Sequence, residues 1–230
     1  MNKIKSFFAL MIMVFIPFGA MIWYRNHHPT EFAGIELILY PLLFGGLGIA
    51  MLYILKRYFL KEDLREFNSG SGEWMSDIVW GMGLALVYFC LFYIERLTLS
   101  NLLSFHSNSE LLGLMLDMRQ NPLIMALFFG PVLWIGIALY EEVIRIFILT
   151  ELWKWKKARL WDFVVILLSA VLIGLVHWSQ GLYGIVTIAI KGLISGIYFY
   201  KKRRIMPLVY AHVLYDGIQV AILLITYPDN

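Results

Sequence analysis

The sequence predicts an all-α fold, a polytopic membrane bundle of about seven transmembrane helices, within a range of six to eight, and three observations carry that prediction. The 230 residues are 60% hydrophobic and only 15% charged, with a mean hydropathy of +0.73. Soluble domains run about 45 to 50% apolar and about 25% charged, so this chain carries more apolar surface than one core of its size could hide. Apolar runs of membrane-spanning length recur along it, at 7–24, 35–55, 78–97, 122–153, 160–178, 182–200 and 205–227. Lys and Arg segregate between alternate connections. Fourteen fall on one side (Lys3 and Lys5; Lys56, Arg57, Lys61 and Arg65; Lys154, Lys156, Lys157 and Arg159; Lys201 to Arg204) and three on the other (Arg25, Arg96 and Arg119). By the positive-inside rule the N-terminus is cytoplasmic and the C-terminus outside.

The runs differ in character. The first follows Lys3 and Lys5 like a signal peptide but is too long and lacks an Ala-x-Ala site, so it reads as a retained signal anchor. Run 122–153 is about 48 Å long as a helix, and Pro131 inside it predicts a kink or a short extra element. Connection 56–77 is polar and cytoplasmic. Connection 98–121, with Leu102, Leu103, Leu111, Leu112, Leu114 and Leu116, is expected to hold an interfacial amphipathic helix over the outer mouth of the bundle. Gly192 and Gly196 form a GxxxG pair suited to close helix packing. Cys90 is the sole cysteine, so neither a disulfide framework nor a thiolate metal site is available. The net charge of +3 is a topology signal and implies no nucleic-acid partner.

Charge inside hydrocarbon costs at least about 2.5 to 3.5 kcal/mol per residue, so ionisable groups within spans are functional hypotheses. The fourth run holds Glu141, Glu142 and Arg145, about 18 Å from its cytoplasmic end. Arg145 is i,i+4 from Glu141 and i,i+3 from Glu142, so it can neutralise one carboxylate and leave the other free. The fifth ends in His177, and the seventh carries His212 and Asp216 on one helix face. Such a set has two chemical readings. Either His177, His212 and a carboxylate hold a divalent metal such as zinc whose bound water attacks a carbonyl, or a Glu and a His activate the water directly while the other pair stabilises the oxyanion. Rise per residue puts His212 about 11 Å deep, Asp216 about 17 Å, Glu141 about 18 Å and His177 about 26 Å, a spread that requires tilt or a displaced fifth span. Lys191 is expected to snorkel or to pair with Asp216, and His27, His28 and His106 to be plain loop residues.

In these residues, over about 121–226, the chain resembles the CPBP family of intramembrane proteases, also called the Abi or CAAX-protease family. The motifs are Glu141-Glu142-Val-Ile-Arg145, Ile173-Gly-Leu-Val-His177 and His212-Val-Leu-Tyr-Asp216, with Lys191-Gly-Leu-Ile-Ser-Gly between the last two. Two departures stand out: two residues separate Glu142 from Arg145 where the family usually has three, and Ile173 replaces a Phe. The resemblance implies that residues 121–230 form a catalytic helix bundle within one integral membrane domain, with 1–120 supplying further helices and loops. It implies hydrolysis of a peptide bond in a membrane-embedded or lipidated substrate, either a CAAX-type prenylated C-terminus or a bacteriocin leader, in a prokaryotic plasma membrane. Glu141 with His177 would then activate water, His212 and Asp216 would stabilise the oxyanion or help hold a metal, and Arg145 would orient a Glu. A non-catalytic immunity or scaffold homologue and a proton-coupled transporter are the competing readings; the second expects inverted repeats.

Overall fold

The computed structural model describes residues 3–27, 34–106 and 109–227, and among these it is all helix apart from connections. The nine α-helices are α1 (Lys3–His27), α2 (Glu36–Ile54), α3 (Trp74–Thr98), α4 (Ser109–Asp117), α5 (Pro122–Leu127), α6 (Tyr140–Trp153), α7 (Arg159–Val176), α8 (Gly181–Lys202) and α9 (Met206–Thr226). Helix α1 covers the first expected span. Among the described residues six segments are long and apolar enough to cross a membrane: Glu36–Leu60, Trp74–Thr98, Pro122–Trp153, Arg159–Val176, Trp178–Lys202 and Met206–Thr226. The chain is a multi-pass integral membrane protein, and its exposed Leu39, Leu43, Leu47, Val79, Leu86, Leu167 and Ile222 are the side chains that lipid would cover.

The long fourth run is interrupted where its sequence says it should be. Gly130, just before Pro131, leaves helical geometry (φ −86°, ψ −111°), and the turns from Phe128 to Leu139 are wound as a π-helix. Proline removes an N–H and disfavours the α conformation in the residue before it, which localises the break. The widened turns feed directly into α6, whose first turn is Tyr140-Glu141-Glu142. Thus the irregular backbone stands immediately upstream of the chemistry-bearing residues, a common placement for π-turns.

Helices α7 and α8 form a tight pair across the GxxxG glycines. A Cβ on Gly196 would come within 2.8 Å of Ile166 Cγ2, so only glycine permits this approach. Beside them α3 and α9 pack together, with Tyr88 near Tyr215 (ring centroids 5.9 Å). The expected amphipathic helix exists as α4, capped by a short turn in which Met118 is buried.

Connection 56–77 is more ordered than its polarity suggests. The second span continues through Leu60, which makes Lys56 a fully buried side chain instead of a loop cation. Its Nζ lies 2.7 Å from Glu62, 2.5 Å from Glu151 and closer still to Glu66, while Ser6 of α1 donates to Glu151. Lys154 binds Glu151 (2.6 Å) and Glu62. The network ties α1, the 55–67 segment and the end of α6 together, and the charges compensate one another. A second clasp joins the same connection to the α8–α9 turn. Arg204 clamps Asp77 with two nitrogens and donates to Gly70 O (3.0 Å), Gly70 N–H binds Arg203 O (3.0 Å), and Ile205 N–H binds Phe67 O (3.0 Å).

Candidate active site

Glu141, Glu142 and Arg145 occupy the first two turns of α6, and His212 and Asp216 lie one turn apart on α9. The fold brings these five together. Arg145 donates to Glu142 Oε1 (2.6 Å), and the same oxygen faces His212 Nδ1 at 3.1 Å. His212 Nε2 stands 3.1 Å from Asp216 and 3.8 Å from Glu141. Both ring nitrogens are therefore aimed at carboxylates, the position of a doubly donating imidazole. The two adjacent glutamates have unequal surroundings. Glu142 is 3% exposed and held through one oxygen by Arg145 and His212, whereas Glu141 is 31% exposed and, among the described residues, meets only His212 within ion-pair distance.

A hydrogen-bonded relay braces Arg145 from behind. Its guanidinium reaches Ser195 Oγ of α8 (3.1 Å), Tyr88 of α3 shares a 2.7 Å hydrogen bond with that hydroxyl, and Ser195 donates to Lys191 O (3.1 Å). Since a serine hydroxyl has one proton, donation to Lys191 O makes Tyr88 the donor to Ser195.

All six expected residues line one cavity of about 1190 Å³, together with Tyr88, Glu95, Lys191, Ser195 and Tyr215. His177 shares this cavity without contacting the other five, which reconciles the depth spread: it terminates α7 at the far end, where a short turn, Trp178–Gln180, leads into α8. Its Nδ1 is 2.9 Å from Ile173 O, so that nitrogen carries the proton and Nε2 is left for the cavity. His106, expected to be a plain loop residue, also lines the cavity, its N–H bonded to Gln180 O (3.1 Å). The equally expected His28 lies outside the described residues. Leu112 and Met115 of α4, with Phe92, Phe105, Ile188 and Leu223, give the cavity apolar walls.

Lys191 does not pair with Asp216. Its ammonium binds Glu95 at 3.1 Å and rests 5.2 Å from the Tyr215 ring. Glu95, on α3 and 3% exposed, stands outside the sequence-predicted set, although an acid inside the apolar run 78–97 carries the same signal as the other carboxylates. Its Oε1 is buried and unpartnered, as are Glu142 Oε2 and Arg145 Nε.

The ligand test for a metal is geometric. Donors at about 2.0 to 2.2 Å from one ion cannot be more than about 4.4 Å apart. Among the described residues, three candidate ligand atoms come within 4.8 Å of one another only at Glu62, Glu66 and Glu151, where the Lys56 ammonium already sits. His177, His212 and Glu141 do not present such a trio, so the residues as folded do not fit a shared metal.

Residues 122–218 match the family described as Rce1-like, type II CAAX prenyl endopeptidase. The resemblance to the CPBP family carried by the Glu-Glu, His and His-x3-Asp motifs therefore holds over the segment containing all six residues. No curated protein and no solved structure matches the chain.

Proposed function

With residues 122–218 matching a family of prenyl endopeptidases, we propose that the chain is an intramembrane endopeptidase that cleaves a prenylated peptide through water activated by Glu141. The carrying observation is the inequality of the paired glutamates. Glu142, locked by Arg145 and His212, is spent on holding the site, while Glu141 faces the cavity with its carboxylate uncommitted. In the proposed reaction Glu141, assisted by His177 Nε2, removes a proton from water as the hydroxyl oxygen bonds to the scissile carbonyl carbon. His212, turning its Nε2–H from Asp216, donates to the oxyanion, and Arg145 positions Glu142 and through it His212. Collapse of the tetrahedral intermediate breaks the C–N bond, and Glu141 returns the proton to the leaving amine. The apolar cavity walls suit a lipidated chain beside a polar peptide segment.

The test uses the full chain in liposomes with a farnesylated, internally quenched peptide, the cut being located by mass spectrometry. Cleavage by the wild type and a loss of about 100-fold or more in Glu141→Gln, at unchanged thermal stability, are expected for a general base. Equal rates in the two proteins would sink the proposal. An unprenylated copy and a leader-type peptide identify the substrate class, and activity that survives chelation separates water activation by Glu and His from metal chemistry.

A further inference from the structure

A second, smaller cavity of about 310 Å³ opens among the cation clusters that the charge asymmetry assigns to the cytoplasmic side. It is lined by Glu66, Ser69, Thr150, Trp153, Lys154, Lys157 and Arg203, three cations against one carboxylate, with two hydroxyls. Lys154 is already engaged by Glu62 and Glu151. Among the described residues no carboxylate comes within ion-pair distance of Arg203; Asp162 and Glu66 act on it only at longer range. Its guanidinium lies 4.4 Å from the Trp153 ring and within 5.8 Å of the Phe199 and Tyr200 rings, an arrangement that fixes the planar fork while leaving its N–H groups free. Burial disfavours the Arg203 charge, holding it below the usual guanidinium range.

The backbone is built around this placement. Arg203 is left-handed (φ 52°), a conformation that glycine adopts freely and that side-chain-bearing residues adopt only under strain. Its N–H closes α8 on Phe199 O (2.8 Å), and its C=O is gripped by Gly70 N–H, which brings Ser69 to the cavity wall. A strained arginine stacked on tryptophan, without a carboxylate at ion-pair distance among the described residues, beside a lysine has the chemistry of a phosphate receptor.

We infer that this cavity binds a phosphate group, that of an anionic phospholipid headgroup at the cytoplasmic membrane surface, through Arg203 and Lys157. Basic pockets at helix ends on this side of a membrane have that use. The inference is independent of the catalytic reading.

The full chain is reconstituted in phosphatidylcholine with increasing phosphatidylglycerol, and bound lipid is counted by native mass spectrometry while the thermal midpoint is followed. Wild type should retain phosphatidylglycerol and gain stability; Lys157→Gln and Arg203→Gln should each weaken retention about fivefold. Arg203→Gly relaxes the left-handed strain, so it should fold as well as wild type in pure phosphatidylcholine yet lose the response to the anionic lipid. Lys156→Gln with Lys201→Gln removes two charges from the same face outside the cavity and should leave retention unchanged. If that control weakens retention as much as the cavity variants, or if Arg203→Gly responds like wild type, the site is overturned. Inorganic phosphate supplied to the protein in neutral lipid separates the two sources of the ligand: stabilisation there identifies a soluble phosphate, and its absence alongside a phosphatidylglycerol response identifies the headgroup.

Discussion

At the scale of single residues, the informative contrast is between neighbours of the same type. Glu141 and Glu142 are chemically identical and adjacent and line the same cavity, yet Glu142 is buried and bound by Arg145 and His212, while Glu141 is more exposed and meets His212 alone within ion-pair distance. Glu142→Gln should therefore behave unlike Glu141→Gln. Removing its charge leaves Arg145 buried without a carboxylate, and breaking a buried pair from one side typically costs about 3 to 5 kcal/mol. Denaturation in detergent should show a large loss of stability for Glu142→Gln and almost none for Glu141→Gln; the opposite order would refute the assignment. Lys191 supports a parallel argument. Lys191→Met strands Glu95, which already has one unpartnered oxygen, whereas Lys191→Met with Glu95→Gln removes both charges. The double variant should recover more than half of the stability lost by the single one, a coupling that a double-mutant cycle measures directly. The sequence offered the i,i+3 spacing of Glu142 and Arg145 and the i,i+4 spacing of His212 and Asp216, since these are fixed within one helix. It could not offer Ser195 or Tyr88, whose roles depend on which face of α8 and α3 turns toward Arg145.

At the scale of elements, helix positions were readable because hydropathy and length alone delimit them, and Pro131 marked the break in the fourth run. The continuation of the second span to Leu60 was hidden by Lys56 and Arg57, which look like a span terminus by charge. Only the tertiary arrangement shows that Lys56 is enclosed by three glutamates from two separate elements. The α7–α8 seam was readable in the GxxxG spacing, and it yields a steric prediction. Gly196→Leu would drive a side chain into Ile166, since even a Cβ comes within 2.8 Å of Cγ2. Overpacking of this kind costs about 1 to 3 kcal/mol, and because α8 also carries Ser195 and Lys191, the displaced helix would loosen the brace on Arg145. The expected outcome is a lowered thermal midpoint together with reduced peptide cleavage; Gly83→Leu, with no neighbour within 4 Å of its Cβ position, should change neither.

At the scale of the whole molecule, the two ends of the bundle are held differently, and pH distinguishes them. The end that carries the lysine and arginine clusters is closed by the network of Lys56, Lys154, Glu62, Glu66 and Glu151, with Ser6 of the N-terminal helix joined to it at the end of α6. The other end, at His177 and Gln180, is joined through backbone hydrogen bonds of His106 and Tyr183, which do not titrate. Burial opposes ionisation of Glu62, but hydrogen bonds and attraction from Lys154 and Lys56 outweigh it and hold its carboxyl below the ordinary 4.5. Burial likewise opposes the charge on Lys154, and the hydrogen bonds to Glu151 and Glu62 outweigh it, raising the ammonium above its ordinary 10.5. A depressed carboxylate contributes stability above its unfolded value and loses it as pH falls through the folded one; a raised ammonium contributes below its unfolded value and loses it as pH rises through the folded one. The contribution of Glu62 and Lys154 is thus level between about 4.5 and 10.5 and declines outside that window. Thermal midpoints of wild type and Glu62→Gln in neutral lipid should differ by a constant amount from pH 6 to 9, to within about the scatter of the measurement, and converge on acidification below about 4.5. Hydrogen exchange at pH 4 should show the first loss of protection in α1 and in residues 55–67, with the turn from His177 to Gly181 unaffected. Uniform loss at both ends would mean that this charged network is not what fastens the N-terminal helix to the bundle.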